Sequence, residues 1–107
     1  MPQLPVTELA RWRADAARTA PVLIDVRESW EFAHCRIDGS LSLPLAELPR
    51  RIDELPRDRP LVVVCHHGHR SGFAAMMLAR AGFGEVHNLH GGVAAWAAEV
   101  DPAMKTY

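Results

Sequence analysis

Leu61-Val62-Val63-Val64-Cys65-His66-His67-Gly68-His69-Arg70-Ser71 is the stretch that decides the fold. Apolar residues run unbroken from Leu61 to Cys65. Such a run reads as a strand buried on both faces, as in a parallel sheet covered by helices, because a half-exposed strand would alternate. The residues after Ser71 follow a different period. Phe73, Ala74, Met77, Leu78 and Ala81 share a helical stripe, and Gly82 stands where a left-handed C-cap falls. The predicted unit is a strand, a short loop and a helix beginning near Arg70 or Ser71, with Cys65 at the carboxyl end of the strand. In an open parallel sheet, ligands bind just beyond such ends.

The pattern continues outward. Val22-Leu23-Ile24-Asp25-Val26 is a second nearly continuous apolar run, and shorter strands are expected over 3–6, 41–43 and 86–89. Helical stretches fill the gaps. Thr7 is the expected N-cap of a helix with Leu9, Trp12, Ala16 and Ala17 on one face, which should pack on the sheet. A second short helix is expected from Glu28 to Ala33, and a third through Leu45 to Leu55, where Pro49 must open a turn or break it. Gly91-Gly92 leads into a last helix with Val93, Trp96 and Ala97. Trp12, Trp30 and Trp96 are read as core or sheet-covering residues. Strands alternating with helices predict an α/β fold with parallel pairing, right-handed crossovers and helices on both faces. At 107 residues the chain supports one core, so residues 1–107 read as a single domain with one site.

Composition narrows the function classes. Apolar residues make up 49% and charged residues 23%, the balance of an ordinary globular protein. The formal net charge of -1 provides no basic footprint for nucleic acid or an anionic membrane. The start, Met1-Pro2-Gln3-Leu4-Pro5, has no basic segment followed by an apolar one, and no apolar run approaches membrane-spanning length. A cytoplasmic location is expected. Cys35 and Cys65 are too few for a disulfide scaffold, and in a reducing compartment both are expected as free thiols. Nothing in the pattern speaks to oligomeric state.

The loop from Cys65 to Ser71 carries the chemistry. A connection this short must curl so that successive backbone N–H groups point inward, closing on the free N–H groups of the next helix. That makes an anion cradle over His66, His67, Gly68, His69, Arg70 and Ser71. Gly68 fits a mid-loop position of positive φ, and Arg70 adds a permanent charge. A thiol held there is biased toward thiolate, and the same field suits a persulfide anion. Cys65 would attack a sulfur donor, hold the outer sulfur and surrender it to a thiophile, with no metal or organic cofactor.

Each of these residues also has a plainer reading. A cysteine at a strand end is ordinarily a buried packing residue, and the loop and helix that follow are what set Cys65 apart. Cys35 has no such surroundings and reads as helix-end packing. The histidines His34, His66, His67, His69, His87 and His90 invite a metal, but there is no C-x2-C or H-x3-H pair, and neighbours on a tight loop diverge. No metal is expected. The loop histidines are expected instead at the cleft mouth, donating hydrogen bonds to an incoming oxyanion. Arg70 has two open readings, a bond to the loop or a carboxylate and a contact to substrate. Ser71 is expected as the helix N-cap.

At this point the chain resembles the rhodanese superfamily. Four features match in order: Asp25-Val26-Arg27-Glu28 after the first long strand, Arg36-Ile37-Asp38-Gly39-Ser40 before a short strand, the Cys65 loop, and Gly91-Gly92-Val93-Ala94-Ala95-Trp96. The resemblance implies a three-layer fold with a five-stranded parallel sheet, a catalytic Cys65, and a persulfide held by backbone amides from His66 through Ser71. It implies that Asp25 and Arg27 form a structural pair near the loop. It also implies a small sulfur donor, thiosulfate or a low-molecular-weight or protein persulfide, and cyanide, a thiol or a protein as acceptor. The chain departs from the family at two points. Members that use thiosulfate commonly place a basic residue directly after the cysteine, where this loop has His66. The family's frequent Gly-His-Ile-Pro-Gly is here Cys35-Arg36-Ile37-Asp38-Gly39, which puts Arg36 forward as a possible cleft residue.

Two rival classes remain. Phosphatases and arsenate reductases of related fold hold an oxyanion in a cysteine loop ending in arginine, but the stretch from Cys65 to Arg70 is one residue shorter than theirs. A binding or regulatory module that has lost catalysis usually lacks the cysteine, and Cys65 is present.

Overall fold

The computed structural model describes residues 2–107. Its sheet comprises Gln3–Pro5 (β1), Val22–Asp25 (β2), Leu41–Ser42 (β3), Leu61–Val64 (β4) and Val86–His90 (β5), in the order β1-β5-β4-β2-β3. Every pairing is parallel. The two long apolar runs lie side by side, Leu61 opposite Val22 and Val64 opposite Asp25, with β5 on the other flank of β4. The helices are Val6–Ala14 (α1), Ser29–His34 (α2), Leu48–Arg51 (α3), His69–Arg80 (α4) and Gly92–Glu99 (α5).

Side chains of β4 point alternately to two cores, and this explains the unbroken apolar run. Leu61, Val63 and Cys65 join Ala74, Ala75 and Leu78 of α4 and Leu48 of α3 on one face. Val62 and Val64 join Leu9 and Trp12 of α1 and Val93 and Trp96 of α5 on the other. Each fully buried valine stabilises the fold by about 1.5–3 kcal/mol relative to exposure. The middle of the sheet is therefore fixed, and the strand ends that project from it are held in place.

Several local expectations are corrected. The N-cap of α1 is Pro5 rather than Thr7, because the chain passes directly from β1 into the helix, and Val6 is helical rather than part of the strand. The helix also ends before Ala16 and Ala17, which are exposed. Asp15 stops it, turning extended and accepting the Ala17 N–H on its carboxylate at 3.0 Å. The stretch from Leu45 to Leu55 is not one helix: 3-10 turns at Leu45–Glu47 and Ile52–Glu54 flank α3, with Pro49 in its first turn. Phe73 and Trp30 are 70% and 63% exposed, so neither is a core residue. The α4 face buries Ser71, Ala74, Ala75 and Leu78 instead. Gly82 does close α4, at φ +94° with Phe83 N–H donating to the Leu78 carbonyl at 3.3 Å.

Candidate active site

Cys65 stands one residue beyond β4, where the chain leaves the sheet. The residue is 1% exposed and its carbons belong to the α4-side core, yet polar groups meet its sulfur. The Gly68 N–H donates to Cys65 Sγ at 3.0 Å, and the Ser71 hydroxyl lies 3.2 Å from it. Gly68 is the N-cap of α4 at φ +106°, a left-handed conformation that costs a residue without Cβ least. The positive end of α4 therefore begins at the sulfur.

Ser71 is not the N-cap expected from the sequence. It lies buried in the first turn of α4, where its hydroxyl reaches both Cys65 Sγ and Asn88 Oδ1 of β5. The Asn88 amide nitrogen is committed, donating to the Gly68 carbonyl at 3.1 Å and to Gln3 Oε1 at 2.9 Å, so its oxygen faces Ser71. A hydroxyl has one proton to donate. When the thiol is protonated, it can donate to Ser71, which donates on to Asn88; when the sulfur is anionic, the Ser71 hydroxyl can turn to it. Ser71 therefore matches either charge state of the sulfur without moving a heavy atom.

The loop is held from behind by α5. Gly91 and Gly92 have φ of +78° and +58°, and the first free amides of the helix meet carbonyls of the cysteine loop. Val93 N–H donates to the Cys65 carbonyl at 2.9 Å and Ala94 N–H to that of His66 at 3.1 Å. These contacts give the Gly91-Gly92-Val93 motif a structural reason: helix α5 spends its unpaired N-terminal donors on the loop.

Two ion pairs flank the loop. Asp25 and Arg27 are wholly buried, with Arg27 Nε 2.9 Å from Asp25 Oδ1 and Nη2 2.7 Å from Oδ2. Arg27 also donates to the Cys35 carbonyl at 2.6 Å and stands 3.7 Å from its sulfur, at the C-terminal end of α2. Arg70 resolves its two readings toward a carboxylate: it grips Glu31 of α2 with both terminal nitrogens, at 2.6 and 2.9 Å. Arg36 is not in the cleft. It lies exposed past the end of α2 and folds back to donate to the Phe32 carbonyl at 3.2 Å, the usual service of a cation at a helix C-terminus.

A cleft of about 250 Å³ opens over Cys65, walled by Glu31, His66, His67, His69, Arg70 and Tyr107. The three loop histidines thus reach the mouth. Among the described residues no three His, Cys, Asp or Glu side chains gather as metal ligands. The pKa of His66 is lowered by burial and then by the neighbouring His67 and Arg27, and its Nδ1 is buried without a partner. Asn88, Glu31 and Tyr107 were missed from sequence as site residues, and Ser71, expected through its backbone amide, also brings its hydroxyl to the sulfur. Asn88 alone left a trace, as a polar residue in the expected strand over 86–89, where asparagine is disfavoured.

Glu31 joins α2, α4 and the end of the chain. Hydrogen bonds from Arg70 lower its pKa against the opposing effect of burial, with help from the Tyr107 hydroxyl and Glu28 N–H, and bring it to about 2 from 4.5. A carboxyl depressed on folding contributes its full stabilisation above its unfolded pKa and loses it as pH falls through the folded one. The stability advantage of wild type over Glu31→Gln is therefore expected to be constant above about pH 5 and to shrink between there and about pH 2. Urea midpoints of both proteins across that range check this, and a pH-independent difference contradicts it.

Comparison with known proteins agrees with this geometry. Residues 6–99 match the model of the rhodanese-like domain. A sulfurtransferase of Allochromatium vinosum is 42% identical over 76 residues, covering 71% of each chain. Thiosulfate sulfurtransferase GlpE of Stutzerimonas stutzeri is 42% identical over 85 residues, covering 78% of each. The crystal structure of a rhodanese-related protein from Thermoplasma volcanium superposes with a TM-score of 0.83 at 29% identity, over 94% of both chains. The chain belongs to the rhodanese-like domain family. Its relatives place it, within that family, among the sulfurtransferases.

Proposed function

We propose that the protein carries sulfane sulfur as a persulfide on Cys65, taking it from a small donor and passing it to a thiophilic acceptor. One observation supports this above the others: the Gly68 amide and the Ser71 hydroxyl converge on a cysteine sulfur at the floor of an open cleft. Hydrogen-bond donors set around a sulfur at a helix N-terminus favour negative charge there. The Cys65 thiolate attacks the outer sulfur of thiosulfate, a sulfur–sulfur bond forms to Cys65, and the donor's own sulfur–sulfur bond breaks with its electron pair leaving on sulfite. With a low-molecular-weight persulfide as donor, the leaving group is a thiolate. In the second step a thiolate or cyanide attacks the outer sulfur, and Cys65 departs as thiolate, ready for another cycle. His67 and His69 stand exposed at the mouth, where their rings can donate to donor oxygens.

Among the described residues no helix is long and apolar enough to cross a membrane. A cytoplasmic location suits the reading, since both cysteines are free.

The test is a transfer assay with thiosulfate and a low-molecular-weight persulfide as donors, and cyanide and a dithiol as acceptors. Wild type is expected to turn over at least one combination and Cys65→Ser none. Equal turnover by the two proteins removes Cys65 from the chemistry. Phosphate-ester hydrolysis lost in Cys65→Ser, with no sulfur transfer, would favour the phosphatase reading.

A further inference from the structure

Tyr107 belongs to none of the sequence motifs, yet it has more partners in the site than any loop histidine. Its hydroxyl accepts from Arg27 Nη1 at 3.0 Å and donates to Glu31 Oε2, so it links the buried Asp25–Arg27 pair to the Glu31–Arg70 pair. Its ring lies 4.4 Å from that of His66 at an interplanar angle of 30° and 5.3 Å from Trp30, while His34 meets it edge-on at 5.6 Å. The segment leading to it leaves α5 with the Val100 and Asp101 N–H groups on the Trp96 carbonyl, packs Val100 and Met104 against the α5-side core, and turns with the Met104 N–H on the Asp101 carbonyl. Lys105 and Thr106 are exposed. Beyond Met104, Tyr107 is thus bound to the site through its own ring and hydroxyl.

Its position matters because of what it covers. The His66 Nδ1 beside it is buried and unpartnered, and a buried polar atom without a partner is a cost that displacement of the Tyr107 ring would relieve through water or substrate. The cleft that Tyr107 walls, about 250 Å³, is below the roughly 300–1,000 Å³ typical of pockets for drug-sized ligands. A thiosulfate-sized molecule suits that space; a peptide persulfide or the thiol of a partner protein needs a wider mouth.

We infer that Tyr107 is the specificity-determining wall of the cleft: latched by its hydroxyl to Arg27 and Glu31, it admits small sulfur compounds to Cys65 and must swing away for a peptide- or protein-borne sulfur. This rests on the reading of Cys65 as the reactive residue, and it assigns to the tyrosine the choice of reaction partner. The ring provides the obstruction and the hydroxyl the latch.

The deciding experiment does not depend on sulfur transfer. Full-length wild type, Tyr107→Ala and Tyr107→Phe are alkylated with iodoacetamide and, separately, with a maleimide bearing a polyethylene glycol chain. Peptide mapping distinguishes Cys65 from Cys35. The rate ratio of bulky to small reagent at Cys65 is expected to rise about tenfold in Tyr107→Ala, with Tyr107→Phe between the two. A wild-type ratio in Tyr107→Ala overturns the wall, and a wild-type ratio in Tyr107→Phe overturns the latch. A companion assay compares KM for thiosulfate and for a peptide persulfide: Tyr107→Ala is expected to lower the second relative to the first, and an unchanged KM ratio overturns the choice of partner. A wild type that transfers no sulfur, while the alkylation ratio still rises, condemns the sulfurtransferase reading and leaves the wall standing.

Discussion

Gly92→Ala is expected to destabilise the protein by roughly 3 kcal/mol or more and to disturb the cysteine loop directly. A Cβ built at Gly92 would lie 2.2 Å from the Cys65 carbonyl oxygen and 2.5 Å from that of His66. Both are backbone atoms, so no side-chain rotation relieves the overlap. The position also has φ of +58°, which favours glycine. Relief requires α5 to back away, which breaks the Val93 and Ala94 hydrogen bonds that hold the Cys65 and His66 carbonyls. Urea unfolding measures the loss. Sulfur transfer, assayed where the variant is still folded, is expected to fall by about tenfold to a hundredfold, since displacements of about 1 Å at a reacting centre have effects of that order. Wild-type stability together with wild-type transfer contradicts the close approach.

The second large effect is expected at Arg27. Arg27→Ala leaves the Asp25 carboxylate with no solvent exposure and without its guanidinium partner, a change that typically costs about 3–5 kcal/mol. The same substitution removes the donors to the Cys35 carbonyl and the Tyr107 hydroxyl. Replacing the pair together, as Asp25→Leu with Arg27→Met, is expected to recover part of the loss, because the larger penalty lies in the orphaned charge rather than in the missing attraction. Urea midpoints of both variants check this. A loss below about 1 kcal/mol in Arg27→Ala shows that Asp25 has found another partner or water.

The legible parts of the molecule were those where one physical demand dominates. A strand between two helical layers must be apolar on both sides, so the runs at 22–26 and 61–65 declared themselves, and the stripe after Ser71 ending at Gly82 declared α4. The placing of Cys65 followed from those two elements. Side-chain direction within short elements was harder to read. Trp30 and Phe73 are apolar by composition, but a six-residue helix and a helix buried mainly through alanines need few large residues, and both point outward. The site's polar partners were hidden for another reason: they come from separate strands and segments. Asn88 reaches the loop only because β5 adjoins β4, and Tyr107 only because the chain returns past α2. No local pattern encodes such neighbours.

The central claim is that Cys65 holds a second sulfur, and the intact mass of the protein tests it most directly. After incubation with thiosulfate in the absence of reducing agent, wild type is expected to gain one sulfur atom, to lose it on addition of cyanide, and to show the gain on the peptide containing Cys65. Cys65→Ser is expected to gain none. A wild type that stays unmodified with every donor, or a serine variant that takes up sulfur equally, would contradict the account.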